Sequence, residues 1–213
     1  NNRISLSIDR LGDLGVEGHT VVAGNLRPFS GNYRLDGTEY NIVADEPGSD
    51  KYDGRFSFVL DAVARTVEGE WQAFDTSIAV YRRSYQLKYT TFAYDPEISL
   101  GGNVEFDFLS DANGNIVERN DSSEVVTAAA SRYNASTHLL TVDEVANMYK
   151  GDLEVMRNAI YARHGYSFRN RRMRYFFDRF DWYIPVSIDV TKALTPLELK
   201  NIKKGRCQVY RPV

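Results

Sequence analysis

Arg163 and His164 stand side by side near the end of an apolar-striped segment, in the run Tyr161-Ala162-Arg163-His164-Gly165. An imidazole exchanges a proton near neutral pH, and a guanidinium grips a carboxylate through two parallel hydrogen bonds. His164 follows Ile160 by four residues and Arg163 follows Met156 by seven, so on a helix both lie beside the apolar stripe. An unpaired charge there is costly, and both side chains need partners. Arg157 and Asn158 sit one to two turns earlier, and Asp178 or Asp181 offers the planar acceptor that an arginine fork prefers.

Three roles fit these residues. As a clasp, Arg163, His164 and Arg157 tie the helix end to the loop carrying Trp182 and Tyr183, and a histidine in the last helical turn also gains from the helix dipole. As an anion pocket, Arg163, His164, Arg157, Tyr161 and Trp182 hold a carboxylate of a cell-wall peptide or sugar. As a hydrolase acting on a cell-wall or peptide substrate, the chain uses His164 as general acid-base, which demands an orienting carboxylate and a deep pocket.

Other chemistries find little support. The three histidines, His19, His138 and His164, have no second ligand at metal spacing, and Cys207 is the only cysteine, so neither a zinc site nor an internal disulfide is expected. Cys207 reads as an inert packing or surface residue. There is no Gly-rich phosphate loop, no His-Glu-x-x-His and no Gly-x-Ser-x-Gly, and no cofactor is expected. Asp111-Ala-Asn113-Gly-Asn115 begins like a calcium loop, but its twelfth position is Ser122 and lacks the bidentate carboxylate, which leaves a hairpin turn. Arg169, Arg171, Arg172, Arg174 and Arg179 raise nucleic-acid binding; the acidic first part and a pI near 5.7 speak against it, and these arginines read as a solvated helix face.

The segment that positions Arg163 and His164 is helical. Thr141-Val-Asp-Glu144 is a capping box opening a short helix that ends near Gly151, and Asp152 caps the next one. Tyr149, Leu153, Met156 and Ile160 form its stripe, and Gly165 stops it in the left-handed conformation. Met173, Phe176, Phe177 and Phe180 make a second stripe. Thr195-Pro196-Leu197-Glu198 caps a last helix, with Leu199 and Ile202 inward and Gly205 as its stop.

Upstream the period is two. Runs at Ile4 to Ile8, His19 to Ala23, Tyr33 to Leu35, Tyr40 to Val43, Phe56 to Leu60, Val67 to Phe74, Ile78 to Tyr81, Tyr85 to Phe92 and Val104 to Leu109 read as short strands. Pro47-Gly48, Asp53-Gly54, Gly101-Gly102 and Asn113-Gly114 supply turns. Trp71 reads as a core plug, or else as a stacking platform at a barrel mouth. Residues 119 to 138 read as the end of the β part or a linker. The expected fold is α+β: an antiparallel β-barrel or sandwich over residues 1–138, then a small helical domain over 139–213.

Charge divides the same way. Residues 1 to 149 hold 12 Lys and Arg against 23 Asp and Glu, whereas residues 150 to 213 hold 14 against 6. The acidic part can dock the basic part, or the basic part can meet an external acidic surface. With 43% apolar residues the chain can bury a core, and no run approaches the roughly 20 apolar residues of a membrane span. Asn1 at the start, followed at once by strand-like alternation, is expected of a processed end whose targeting segment has been removed.

The run Leu153-Glu-Val-Met-Arg157-Asn158-Ala-Ile160-Tyr161-Ala162-Arg163-His164-Gly165-Tyr166-Ser-Phe168, then Phe176-Phe177, Trp182-Tyr183 and a late helix with Asn201, resembles the YARHG domain family over about residues 141 to 205. The resemblance implies a bacterial protein that is secreted or envelope-attached, often as a lipoprotein, with the domain set beside varied partners that include peptidase and kinase-like modules. A module that accompanies different catalytic units is expected to bind or scaffold, here an envelope or cell-wall component or an acidic protein surface. A lipid anchor, if there is one, lies upstream of Asn1.

Overall fold

A computed structural model describes residues 3–13, 15–101, 106–107 and 125–209. Seven antiparallel strands follow one another as neighbours in one curled sheet, a half-barrel: β1 (Ile4–Gly12), β2 (Gly15–Val22), β3 (Asn25–Asp36), β4 (Glu39–Asp45), β5 (Gly54–Asp61), β6 (Thr66–Ala73) and β7 (Arg82–Lys88). The expected antiparallel β part takes this form. In β5, Phe56 and Phe58 are buried while Arg55 and Ser57 between them are exposed, as period-two strands with one wet face require. Val16, Phe29, Ile42, Ala44, Phe56 and Phe58 form the core of this unit, with Tyr33, Trp71 and Tyr85 packed against it. Trp71 donates through Nε1 to the buried Glu46 at 2.9 Å, so it serves as packing with a satisfied polar edge.

Several local expectations are corrected. Gly54 does not turn the chain: it begins β5, where a Cβ would lie 2.2 Å from the Gln72 carbonyl oxygen, so close backbone packing explains the glycine. Ile78 to Tyr81 form no strand; Asp75 accepts from the Ser77 amide and hydroxyl at 2.9 and 2.6 Å, which commits the chain to a turn. Gly48 and Gly101 do have positive φ. Gly102, Asn113-Gly114 and the Asp111 to Asn115 run lie outside the described residues, as does most of the Val104 to Leu109 run, of which Phe106–Asp107 is described as a strand.

The chain forms two compact units, Ile4–Val21 with Asn25–Thr91 being one, and Arg3, Val22–Gly24 and everything described from Phe92 onward the other. The division at Thr91 and Phe92 falls earlier than the expected end of the β part at residue 138. Residues 125 to 138 pack into the helical unit, where Val126, Ala130 and Ala135 join its core.

This second unit holds a two-stranded ladder of β8 (Phe106–Asp107) and β9 (Val125–Val126), then α1 (Val142–Val145), α2 (Lys150–Arg163), α3 (Arg171–Phe177) and α4 (Pro196–Val209). The Thr141/Glu144 capping box is present. Asp152 caps α2 from within its first turn, three residues after the N-cap Tyr149: its carboxylate accepts from the Tyr149 amide at 3.2 Å and from the Thr127 amide at 2.6 Å. α4 continues past Gly205, and Leu199 is 42% exposed; the inward residues are Glu198, Asn201 and Ile202. Cys207 lies on α4 in a stretch whose side chains fall outside the described residues.

Candidate functional site

α2 ends in a Schellman arrangement: the Gly165 amide donates to the Ala162 carbonyl at 2.9 Å and the Tyr166 amide to the Tyr161 carbonyl at 3.0 Å, with Gly165 at φ 72°. That turn carries His164 inward. Its Nε2 meets Glu198 Oε2 of α4 at 2.9 Å, and its ring stacks on Tyr94 with centroids 4.1 Å apart and planes 10° apart. Tyr94 donates its hydroxyl to the other oxygen of the same carboxylate, Glu198 Oε1, at 3.1 Å. The Thr195 amide adds a third donor at 2.8 Å, completing the capping box that opens α4.

Arg163 sits in the same network. Its Nε donates to the Ile98 carbonyl at 2.8 Å and its Nη1 to the Ser136 hydroxyl at 3.2 Å. Arg163 and His164 are 4% and 6% exposed and Glu198 is fully buried, so the group is sealed from bulk water. Burial lowers the Arg163 guanidinium to about 10, the nearby Glu198 charge opposing the shift; it stays cationic at neutral pH. Burial likewise raises the Tyr94 hydroxyl to about 12, helped by the charge on Glu198. Burial pushes Glu198 upward, yet donation from the Thr195 amide, His164 and Ser136 outweighs it and leaves the carboxyl below its ordinary value.

The partners differ from those expected. Neither Asp178 nor Asp181 pairs with Arg163 or His164. Asp178 instead accepts from the Arg3 amide through its side chain, while the Arg3 guanidinium donates to the carbonyls of Asp178, Phe180 and Tyr183 at 3.1, 2.8 and 2.5 Å. The Trp182-Tyr183 loop is thus held by Arg3 and by the Tyr183 hydroxyl, which donates to the Tyr166 carbonyl at 2.8 Å. Trp182 packs on Phe177, Phe180 and Tyr183, and its buried Nε1 has no partner among the described residues.

Arg157 and Tyr161 face elsewhere. They line an open cleft of about 380 Å³ together with Asn158, Tyr166 and the segment Ile188 to Thr191. The partly buried Arg157 makes no hydrogen bond or ion pair among the described residues, and the Tyr161 and Tyr166 hydroxyls have no hydrogen-bond partner there either. The five candidate residues therefore fall into three places: Arg163 and His164 in the sealed network, Arg157 and Tyr161 in the cleft, and Trp182 in the aromatic core. Glu198 and Tyr94 escaped the reading of the sequence as partners of His164. Glu198 carried one signal, its capping-box position, since that carboxylate is held at the start of a helix.

Among the described residues no group of three or more His, Cys, Asp and Glu is placed to hold a metal ion, and no described helix is long and apolar enough to cross a membrane. An antiparallel half-barrel and a helical unit built on this clasp, with a cleft along α2, define an α+β protein. Residues 128–207, the C-terminal part of the chain, match the family model of the YARHG domain. No curated protein and no solved structure matches the chain.

Proposed function

We propose that this chain is an extracytoplasmic, non-catalytic binding module that takes a carboxylate-bearing component of the bacterial envelope in the cleft beside α2. The family resemblance supports the compartment, with secretion or lipid anchoring as the means of attachment. The observation that carries the binding role is the contrast between the arginines of one helix. Arg163 spends its donors on Ile98 and Ser136, whereas Arg157 keeps its guanidinium unpaired in an open cleft with two tyrosine hydroxyls. Unpaired donors converging on a concave surface are what a carboxylate needs.

Hydrolysis through His164 is the weaker reading. The imidazole does have a carboxylate within reach, but among the described residues its side chain is 4% exposed and it does not line this cleft, which argues against a substrate reaching it. Titration of the 15N-labelled chain with N-acetyl-alanyl-alanine, which offers a carboxylate and no ammonium, tests the binding role. Shifts of the Arg157, Tyr161 and Tyr166 amides that Arg157→Ala abolishes support it. Shifts elsewhere, or none, refute it.

A further inference from the structure

Part of the cleft's lining is a pinned loop, Ile188 to Thr191. The Ser187 amide donates to the Gly165 carbonyl at 3.0 Å, the Ser167 amide donates to the Ser187 carbonyl at 2.7 Å, and Tyr166 and Ser187 form a parallel bridge. Two residues on, the Ser187 hydroxyl donates to the Asp189 carbonyl at 2.9 Å. The Asp189 carboxylate accepts from the Thr191 amide at 2.9 Å and from the Thr191 hydroxyl, all through Oδ1. These two donors hold its carboxyl below the ordinary aspartate value, and its negative charge is kept. Lys192 is the neighbouring cation, yet no ion pair forms between it and Asp189.

The cleft therefore contains a cation and an anion that do not pair with each other. Arg157 stands on α2 and Asp189 on the pinned loop; both line the same space, and neither is engaged in a salt bridge among the described residues. Two opposite charges on one lining that form no ion pair with each other offer a complementary pair to a ligand that carries both signs. Ile188, Val190, Tyr161 and Tyr166 also line the cleft, the two tyrosine rings with centroids 5.9 Å apart, and together they offer apolar surface to a small aliphatic body.

Resting on the reading of this cleft as a carboxylate site, we infer that its ligand is a small zwitterion, a short peptide with both termini free, whose carboxylate meets Arg157 and whose ammonium meets Asp189. A volume of about 380 Å³ lies at the small end of ligand pockets and suits a peptide of two or three residues. Specificity follows from the second charge: a ligand lacking the ammonium forgoes the ion pair with Asp189.

Three dipeptides separate the possibilities: alanyl-alanine, N-acetyl-alanyl-alanine and alanyl-alanine amide, each titrated into the 15N-labelled chain and into Arg157→Ala and Asp189→Asn. Alanyl-alanine is expected to bind about tenfold tighter than either blocked form, the effect of one charge-assisted hydrogen bond. Asp189→Asn should remove its advantage over the acetylated peptide, and Arg157→Ala its advantage over the amide. Equal binding of the free and acetylated peptides, unchanged in Asp189→Asn, overturns the zwitterion and leaves the carboxylate reading standing. Absence of cleft shifts with all three peptides overturns both.

Discussion

Tyr94 lies flat on His164, ring centroids 4.1 Å apart, and donates its hydroxyl to Glu198, the same carboxylate that His164 Nε2 meets at 2.9 Å. The three side chains come from a loop and two helix ends far apart in sequence, so the contact joins segments that local propensity alone would leave independent. The same carboxylate also takes the Thr195 amide and the Ser136 side chain. That concentration sets the consequences of breaking it.

His164→Ala removes one donor from a fully buried carboxylate and opens the space beneath Tyr94. A loss on the order of 3 kcal/mol is expected, the range for stripping one partner from a buried pair. Arg157→Ala, which breaks no bond among the described residues, should unfold within about 0.5 kcal/mol of the parent chain. Urea unfolding of the two variants side by side checks both.

Tyr94→Phe keeps the stack and loses only the hydroxyl, and Tyr94→Leu loses both. The first should cost about 1.5 kcal/mol, for a hydrogen bond to a charged group, and the second clearly more. Comparable losses in the two variants would mean the stack contributes nothing beyond filling space.

Gly165 has φ 72°, and a Cβ there would lie 2.5 Å from Val186 Cγ2 and 2.9 Å from the Phe92 ring. Gly165→Ala therefore combines a left-handed alanine with overpacking, each of which costs at least about 1 kcal/mol. Circular dichroism melts should show a lowered midpoint with an unchanged far-ultraviolet spectrum at low temperature.

Two buried glutamates carry opposite pH signatures. Glu198, held below the ordinary value of 4.5 once burial is outweighed by its donors, contributes stability that is full above pH 4.5 and lost as the pH falls through its folded value. Glu46 is pushed above 4.5 by burial, against the opposing donation from Trp71 and Gly54. Its folded form holds the proton more tightly than the unfolded chain, so its penalty is absent below pH 4.5 and grows as pH rises through the folded value. Glu46→Gln, whose amide oxygen can still accept from Trp71 and Gly54, is expected to raise the unfolding midpoint at pH 7 and to leave it unchanged at pH 4. A midpoint that falls at pH 7 would show that the charge on Glu46 stabilises the sheet.

The strands were legible because alternation is local: Phe56 and Phe58 announce β5, and Val67 to Phe74 announce β6. β3 was foreshortened to Tyr33 through Leu35, since Pro28 and Gly31 interrupt the apolar pattern of a strand that runs from Asn25 to Asp36. The need of Arg163 and His164 for buried partners was also legible, from their spacing against Met156 and Ile160. Who the partners are was not: Glu198 lies 34 residues beyond His164, and Ile98 lies 65 before Arg163 and offers only a backbone carbonyl, which leaves no trace in side-chain chemistry. The cleft was invisible for the same reason, because Asp189 enters it only through the pinned loop.

The segment that recurs as a YARHG domain starts at residue 128, yet the body it folds into draws on Arg3 for the carbonyls around Tyr183, on the Gly24 amide for the Ser167 hydroxyl, and on Tyr94 and Ile98 for the clasp. The stretch that matches the family model and the stretch that folds into one compact unit are thus different lengths of chain. A fragment cut at residue 128 would leave Arg163 without the Ile98 carbonyl and His164 without the Tyr94 ring, so the segment that matches the family model is shorter than the segment that satisfies its own buried polar groups.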